Sequence, residues 1–218
     1  MDDDSRKISR TIWVGVGLLI VILCLTYPLS LAEKRQKARK ALAALSQVQD
    51  FTLTNQMGQA VTLADLRGHV WVGDIIFTSC AGPCPQMTKH MKEVQAALPA
   101  TSQARLVTLT TDPETDTPAV LKAYAERFEA DPTRWMFLTG DKKQIVGLAV
   151  DGLKLTAVEK KPEERADPKD LFIHSTIFVV VDKHARLREV FQTTGEGVDF
   201  SVAKAAIVAL VEKLERER

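Results

Sequence analysis

The chain has 218 residues, a net charge of +1 and 45% hydrophobic residues, with three cysteines. Its basic residues follow an apolar stretch or lie on predicted helix faces without interleaved aromatics, so the composition gives no support to nucleic-acid binding. Beyond an N-terminal tether, about 165 residues remain, which is enough for one domain with its own hydrophobic core.

The first predicted element is an apolar helix over residues 11–31. These 21 residues carry no charge, and a helix of that length crosses a hydrocarbon core of ~30 Å. Three basic residues precede it, so we predict a cytoplasmic N-terminus over 1–10 and a single transmembrane anchor over 11–31. A cleaved signal peptide is the alternative, because residues 30–32 (Ser-Leu-Ala) supply small side chains at a suitable spacing.

The flanking charges bear on the orientation of this anchor. Five basic residues lie within 34–40, and a count of Lys and Arg alone favours a cytoplasmic C-terminal domain. We predict a periplasmic domain instead, because the sulfur chemistry described below suits a space outside the cytoplasm. The aspartates at 2–4 are not typical of a mitochondrial transit peptide, which favours a bacterial inner membrane. Residues 32–49, rich in Ala, Lys, Arg and Gln, predict a helical tether.

The pattern over 50–218 predicts strands that alternate with helices. A hairpin is predicted over 50–63, where apolar residues alternate on both sides of a turn. Further strands are predicted over 70–77, 105–111, 135–138, 176–181 and 187–191, and helices over 85–98, 118–128, 141–152 and 202–214. Helical crossovers make strands parallel and the late hairpin adds antiparallel ones, so we predict an α/β fold with a mixed central sheet and helices on both faces.

Two cysteines flank a turn between the strand over 70–77 and the next helix. Cys80 and Cys84 are spaced i and i+4, with Pro85 suited to the first helical turn. Unpaired N–H groups and partial positive charge at a helix N-terminus favour a thiolate, which attacks disulfides and binds soft metals. Buried apolar cysteines and a structural disulfide are the alternatives, although a bridge across so short a loop restrains little chain entropy.

Three motifs together resemble the Sco/SenC family of membrane-tethered copper proteins. They are the cysteine stretch over 77–85, the turn over 112–118 (Asp-Pro-Glu-Thr-Asp-Thr-Pro), and His174-Ser175 before a strand that ends in Asp182. The order of hairpin, strand, cysteine turn and helix is similar to the thioredoxin and peroxiredoxin-like fold, although thioredoxins have two residues between their cysteines and this chain has three. The resemblance spans about 51–214 and implies a thioredoxin-like domain over 50–218.

The resemblance implies that Cys80, Cys84 and His174 are copper ligands. In thioredoxin-like proteins the loop entering the third core strand packs against the cysteine turn, so we expect His174 to face the sulfurs, with Ser175 where that loop usually has a cis-proline. Two thiolates and an imidazole form a soft site that suits Cu(I) and can take Cu(II), whereas structural zinc usually has a fourth protein ligand.

The other candidate ligands are assigned to structural or solvated positions. Met87 continues the apolar stripe of its helix and is predicted to pack in the core. The remaining histidines are predicted to be solvated: His69, His90 and His184. The aspartates of the turn, Asp112 and Asp116, are predicted to make turn and cap hydrogen bonds.

The resemblance also implies a function. It is copper delivery or thiol maintenance in the assembly of cytochrome c oxidase, with the subunit that carries the copper-A centre as the partner. A periplasmic thiol-disulfide oxidoreductase, with Cys80 and Cys84 as a redox pair, is the rival. A peroxidase is less favoured, because those enzymes place a Thr three residues before the attacking Cys and this chain has Phe77 there. A non-catalytic scaffold with a structural disulfide is the third class.

Overall fold

The computed structural model describes residues 13, 27, 44–159, 163 and 172–217, with the backbone alone at 157–159 and 172–174. The chain divides into two units, Met1–Ala43 and Ala44–Arg218. In the first unit, Trp13 and Tyr27 are described; both are helical and exposed. Among the described residues, no helix has the length and apolar character needed to span a membrane. The anchor predicted over 11–31 lies outside them except at these two positions.

The second unit is built on a mixed sheet, as predicted. Its elements are β1 Ser46–Gln47, β2 Thr52–Asn55, β3 Ala60–Thr62, α1 Leu63–Leu66, β4 Trp71–Ile76, α2 Cys84–Ala97, β5 Arg105–Thr110, α3 Pro118–Arg127, β6 Trp135–Thr139, α4 Lys142–Val146, a π-helix Gly147–Gly152, β7 Ala157–Glu159, β8 Phe172–His174, β9 Ile177–Val181, β10 Arg186–Gln192 and α5 Phe200–Arg216. The strand order of the main sheet is β1-β10-β9-β4-β5-β6-β2-β3, and β7 pairs with β8 in a separate two-stranded sheet.

Strand direction in the main sheet follows the connections. β4, β5 and β6 are parallel, because helical crossovers join them, whereas β9 lies antiparallel to β4 on its other side. The register pairs Trp71 with Val181 and Gly73 with Val179. The carboxyl ends of β4 and β5 therefore meet the amino end of β9 at one edge of the sheet.

The central strand β4 is buried along its whole length, so both faces of the sheet are covered. Trp71 and Ile75 join a core cluster that includes residues of α1, α4 and the π-helix, while Val72 and Ile76 alternate to the other face and are equally buried. Gly73 leaves room for the Trp71 indole: a Cβ at this position would lie 3.0 Å from the ring.

Three segments differ from the predicted elements. The prediction of a helical tether over 32–49 is wrong at residues 46–47, which form an edge strand. Ser46 pairs with Leu187 and Gln47 with Arg186. The helix predicted over 141–152 changes to a π-helix at Gly147. The short β7–β8 sheet, which holds the backbone of His174 opposite Ala157, was not predicted.

A buried ionic network closes the turn between β9 and β10. The Asp182 carboxylate accepts hydrogen bonds from the backbone N–H groups of His184 and Arg186 and from the Arg186 and Arg188 guanidiniums, at 2.8–3.0 Å. Burial by itself raises the pKa of Asp182, but these hydrogen bonds outweigh it and the pKa is lowered. Within the same turn Ala185 has a φ of 60°, the left-handed conformation that the network holds in a non-glycine residue.

We predict that Asp182→Asn destabilises the full chain by about 3 kcal/mol at pH 7, because it leaves the buried Arg188 without its closest carboxylate. Because the pKa of Asp182 is lower in the folded chain than in the unfolded chain, the ionised carboxylate stabilises the fold at pH values above the unfolded pKa. This stabilisation is lost as the pH falls through the folded pKa. The difference between wild type and variant in the free energy of unfolding, measured with urea, should therefore decrease between pH 5 and pH 3. A difference that stays constant over this range would contradict the assignment.

Candidate metal centre

The segments that carry the predicted ligands lead to the sheet edge where β4 ends. β4 leads directly into the loop of Cys80, and α2 begins at Cys84. Because β9 is antiparallel to β4, the residues that precede β9 return to the same edge. Continued beyond Gly73 and Val179, this register would bring Ser175 opposite Phe77. The topology thus returns the chain before β9 to the edge of the sheet at which β4 leads into the cysteine loop.

The two cysteines have different exposures. Cys80 is partly exposed on the loop, and its Sγ accepts a hydrogen bond from the Gly82 N–H at 3.3 Å. Cys84 is the first residue of α2, close to the helix start predicted from Pro85. It is fully buried, which was not predicted. Cys80 therefore offers the accessible sulfur of the pair.

The environment of Cys84 opposes the expected thiolate. Burial raises the pKa of the Cys84 thiol far above its usual value, the hydrogen bond and charge of Cys80 add to the increase, and the backbone of Phe77 opposes it. The buried carboxylate of Asp74, on β4, raises it further. The expectation of a thiolate at the helix N-terminus is therefore wrong for Cys84, because desolvation is stronger than the effect of the helix end.

Asp116 holds the start of the cysteine loop, a role that was not predicted. Its carboxylate is fully buried and accepts hydrogen bonds from the Thr78 N–H at 3.1 Å, the Thr78 hydroxyl at 2.5 Å and the Thr110 hydroxyl at 2.5 Å. Burial raises the pKa of Asp116, and these hydrogen bonds offset that only in part. The helix cap in this turn is the neighbouring Thr117, whose hydroxyl accepts a hydrogen bond from the Val120 N–H.

The third predicted ligand is described by its backbone alone. His174 ends β8, and its side chain lies outside what the structure describes. Among the described side chains, no three His, Cys, Asp or Glu residues come together as a metal site. The predicted donor set fits copper in its chemistry, since cysteine sulfurs are soft ligands and a histidine imidazole is a borderline one.

The remaining candidates lie away from this edge or in the core. Met87 is fully buried, as expected for a core residue. His69 is half-buried and its Nδ1 contacts the Gln103 carbonyl oxygen at 3.0 Å, at the opposite end of β4, and His184 is exposed in its turn. The prediction of a solvated His90 is wrong: the residue is 8% exposed and its ring stacks on Phe200.

The comparisons with known proteins identify a family. Residues 39–209 match the family model described as SCO1/SenC. The chain is 39% identical over 137 residues to the SCO1 protein homolog of Bacillus subtilis, covering 62% of this chain and 68% of that protein. It is 29% identical over 139 residues to a protein of Stutzerimonas stutzeri described as a candidate copper-binding protein. The match covers 61% of this chain and 67% of that protein.

A solved structure supports the same relationship. The chain resembles BsSco, described as a member of the Sco family of cytochrome c oxidase assembly proteins with a disulfide switch. The TM-score is 0.67 at 32% identity, and the match covers 81% of this chain and 98% of BsSco. The thioredoxin-like α/β fold expected from the sequence is therefore confirmed for the second unit.

We predict that Asp116→Ala exposes Cys84, because the variant removes the acceptor that holds Thr78 against the turn after β5. Alkylation of the reduced, native chain, followed by peptide mass spectrometry, should show about tenfold faster modification of Cys84, since local opening controls access to a buried thiol. Glu114→Gln is the matched control, because this carboxylate is exposed in the same turn. Equal rates in the two variants would contradict the role of Asp116.

Proposed function

The chain belongs to the SCO1/SenC family, and from this membership we propose that it is a membrane-tethered copper chaperone that binds copper through Cys80, Cys84 and His174. We propose that it acts in the assembly of the copper-A centre of cytochrome c oxidase, with the subunit that bears this centre as its partner. Copper is here the cargo of the protein. The observation that supports the proposal is that the two cysteines follow β4 at the same sheet edge to which the chain returns before β9, where His174 lies.

The donor residues suit a transferable metal. Thiols bind copper as thiolates, so loading displaces the proton of each cysteine that is protonated. Cys84 is buried at the start of a helix and holds its sulfur in a fixed place. Cys80 lies on the partly exposed loop, so an acceptor's sulfur or imidazole can replace it first. Ligand exchange then passes the metal on without releasing it to water.

We propose that residues 11–31 anchor the chain in the bacterial inner membrane, with 1–10 in the cytoplasm, a tether over 32–49 and the domain over 50–218 in the periplasm. The uncharged stretch over 11–31 supports this proposal. The edge strand at 46–47 shortens the helical part of the tether. The main sheet thus begins within the last residues of the predicted tether.

The different exposures of the two cysteines also favour a second function, a thiol-disulfide oxidoreductase that keeps the acceptor's cysteines reduced. The Cys80 thiolate would attack a target disulfide, forming a mixed disulfide and releasing one target thiolate. Cys84 would then attack the Cys80 sulfur and release the second target thiol. The products are a reduced target and a Cys80–Cys84 disulfide, so two electrons and two protons pass to the target.

Anaerobic Cu(I) titration of the reduced full chain separates these functions. The wild type should bind one Cu(I), and Cys80→Ser or Cys84→Ser should abolish high-affinity binding. His174→Ala should weaken binding by about 100-fold, the scale of losing one of three ligands, while dithiol exchange with a model disulfide keeps its rate. His184→Ala, at an exposed turn, is the matched control. Unchanged copper affinity in His174→Ala would remove this residue from the ligand set.

The raised pKa of Cys84 predicts a pH dependence for copper loading. Because the thiol is protonated at neutral pH, each bound Cu(I) displaces its proton, and the apparent affinity should fall at least tenfold for each unit of pH decrease. Competition with a chelator of known affinity at pH 8, 7 and 6 measures this slope. An affinity that does not change between pH 8 and pH 6 would contradict a protonated Cys84.

A further inference from the structure

One buried tyrosine takes no part in the proposed ligand set. Tyr124 lies on α3 and is 5% exposed. Its ring centroid lies 4.8 Å from that of Phe128 and 6.1 Å from that of Phe137, and the guanidinium carbon of Arg127 lies 4.9 Å from it. These contacts fix the ring. A buried phenol hydroxyl usually has a hydrogen-bond partner, and this partner shows what the tyrosine supports.

The partner is a threonine in the first turns of the cysteine helix. The Tyr124 hydroxyl lies 2.8 Å from Oγ1 of Thr88, and this Oγ1 donates a hydrogen bond to the Cys84 carbonyl at 3.0 Å. A hydroxyl has one proton to donate, so Thr88 gives its proton to the carbonyl and accepts from Tyr124. The Tyr124 hydroxyl keeps the proton that it donates, because burial raises its pKa.

These two hydrogen bonds reach the backbone of Cys84, at the start of α2. Both Thr88 and Cys84 are fully buried. In a helix an N–H donates to the carbonyl four residues earlier, and the Thr88 hydroxyl donates to that same carbonyl. A threonine hydroxyl can rotate towards other acceptors, whereas the contact with Tyr124 keeps this one directed at the carbonyl. The first turn of α2 is thus joined to α3 by a side chain.

The region of α3 also reaches the other end of the cysteine loop. α3 begins at Pro118, and Asp116, two residues earlier, accepts the hydrogen bonds from Thr78 described above. Cys80 lies between these two attachments, on a partly exposed loop. One helix and the turn before it therefore hold residues on both sides of the loop, at Thr78 and at Thr88.

From these contacts we propose that Tyr124 is a positioning residue for the Cys84 sulfur, acting through the Thr88 hydroxyl and the Cys84 carbonyl. The inference rests on the proposed function for its meaning, because there Cys84 is a ligand of copper. A fixed first turn keeps the buried sulfur in one place relative to the loop of Cys80. The hydroxyl of Tyr124 supplies this effect, and the ring holds the hydroxyl.

Variants of the full chain separate the hydroxyl from the ring that carries it. Tyr124→Phe removes the hydroxyl and keeps the ring among its neighbours. Thr88→Val removes the hydroxyl between Tyr124 and Cys84, whereas Thr88→Ser keeps it. Ser102→Ala is the matched control, because it also removes the hydroxyl of a buried residue. That hydroxyl donates to Glu215 and lies beyond the far end of α2.

Hydrogen exchange of the metal-free, reduced chain is the first measurement. Tyr124→Phe and Thr88→Val should each lower the protection factor of the amide at position 88 by about tenfold, the scale of one hydrogen bond, through local opening of the first turn. Thr88→Ser and Ser102→Ala should stay near the wild type. Because Tyr124 acts through Thr88, the double variant Tyr124→Phe/Thr88→Val should lose no more protection than Thr88→Val alone.

The exchange data can overturn the proposal in three ways. Wild-type protection in Tyr124→Phe would show that the hydroxyl holds nothing. Additive losses in the double variant would show that Tyr124 does not act through Thr88. An equal loss in Ser102→Ala would show that any missing buried hydroxyl opens the turn. If Thr88→Val does not fold, the comparison of Tyr124→Phe with Ser102→Ala decides.

Copper binding is the second measurement and separates this inference from the proposed function. Tyr124→Phe should lower Cu(I) affinity by about tenfold, as expected for a group outside the ligand set, and should change the sulfur-to-copper absorption band after Cu(II) addition. Ser102→Ala should change neither. A wild-type chain that takes up no copper overturns the proposed function, and exchange alone then decides whether Tyr124 positions Cys84. A wild-type chain that binds copper, with an identical affinity and spectrum in Tyr124→Phe, overturns the positioning role.

Discussion

The antiparallel pairing of β9 with β4 is the constraint on which the candidate site depends. β4 ends at the cysteine loop, and the residues before β9 reach the same edge only because the two strands run in opposite directions. In a parallel arrangement His174 would lie at the far end of β4, about 20 Å away for a six-residue strand. The parallel partner β5 brings its own carboxyl end, and with it Asp116, to this edge. Strand topology therefore assembles segments that are far apart in sequence.

Burial sets the chemistry of this edge more strongly than the helix end does. A favourable interaction with a helix N-terminus contributes ~0.3–1 kcal/mol, whereas each pKa unit corresponds to ~1.4 kcal/mol and full burial shifts a pKa by several units. The pKa of Cys84 is raised accordingly. The Cys84 sulfur therefore keeps its proton unless a group that binds the sulfur more tightly displaces it. Cys80 is partly exposed and is the more accessible cysteine of the pair.

The sequence predicts the local elements of the fold well and their long-range partners less well. The strand before the cysteines, the helix start at Cys84 and the core position of Met87 follow from apolar periodicity and from Pro85, because these signals are local. The edge strand at 46–47 was missed because its two residues gain their structure from pairing with β10. The π-helix also has no local signal, since its sequence reads as a continuation of the preceding helix.

The polar residues near the site, like the edge strand, were not predicted from the sequence. Asp116 follows a strand adjacent to β4, so the rule that neighbouring parallel strands end at one edge could have placed it near the cysteine loop. Its motif was instead read as a turn and a cap, which its neighbour Thr117 provides. His90 could not have been found in this way. Its burial depends on Phe200, more than a hundred residues later, and sequence spacing contains no trace of that contact.

A site that exchanges its cargo needs support from outside its ligands. Fixing one residue costs about 1–2 kcal/mol of conformational entropy, and the loop that carries Cys80 is exposed around Ala81 and Gly82. It has little packing of its own to offset that cost. Asp116 holds the loop where it leaves β4, and Thr193 holds the segment where it enters β9. Asp116 acts through the N–H and the hydroxyl of Thr78, and Thr193 acts through the Thr176 carbonyl, so in the proposed metal centre both supports act on the segments and not on the proposed ligands themselves.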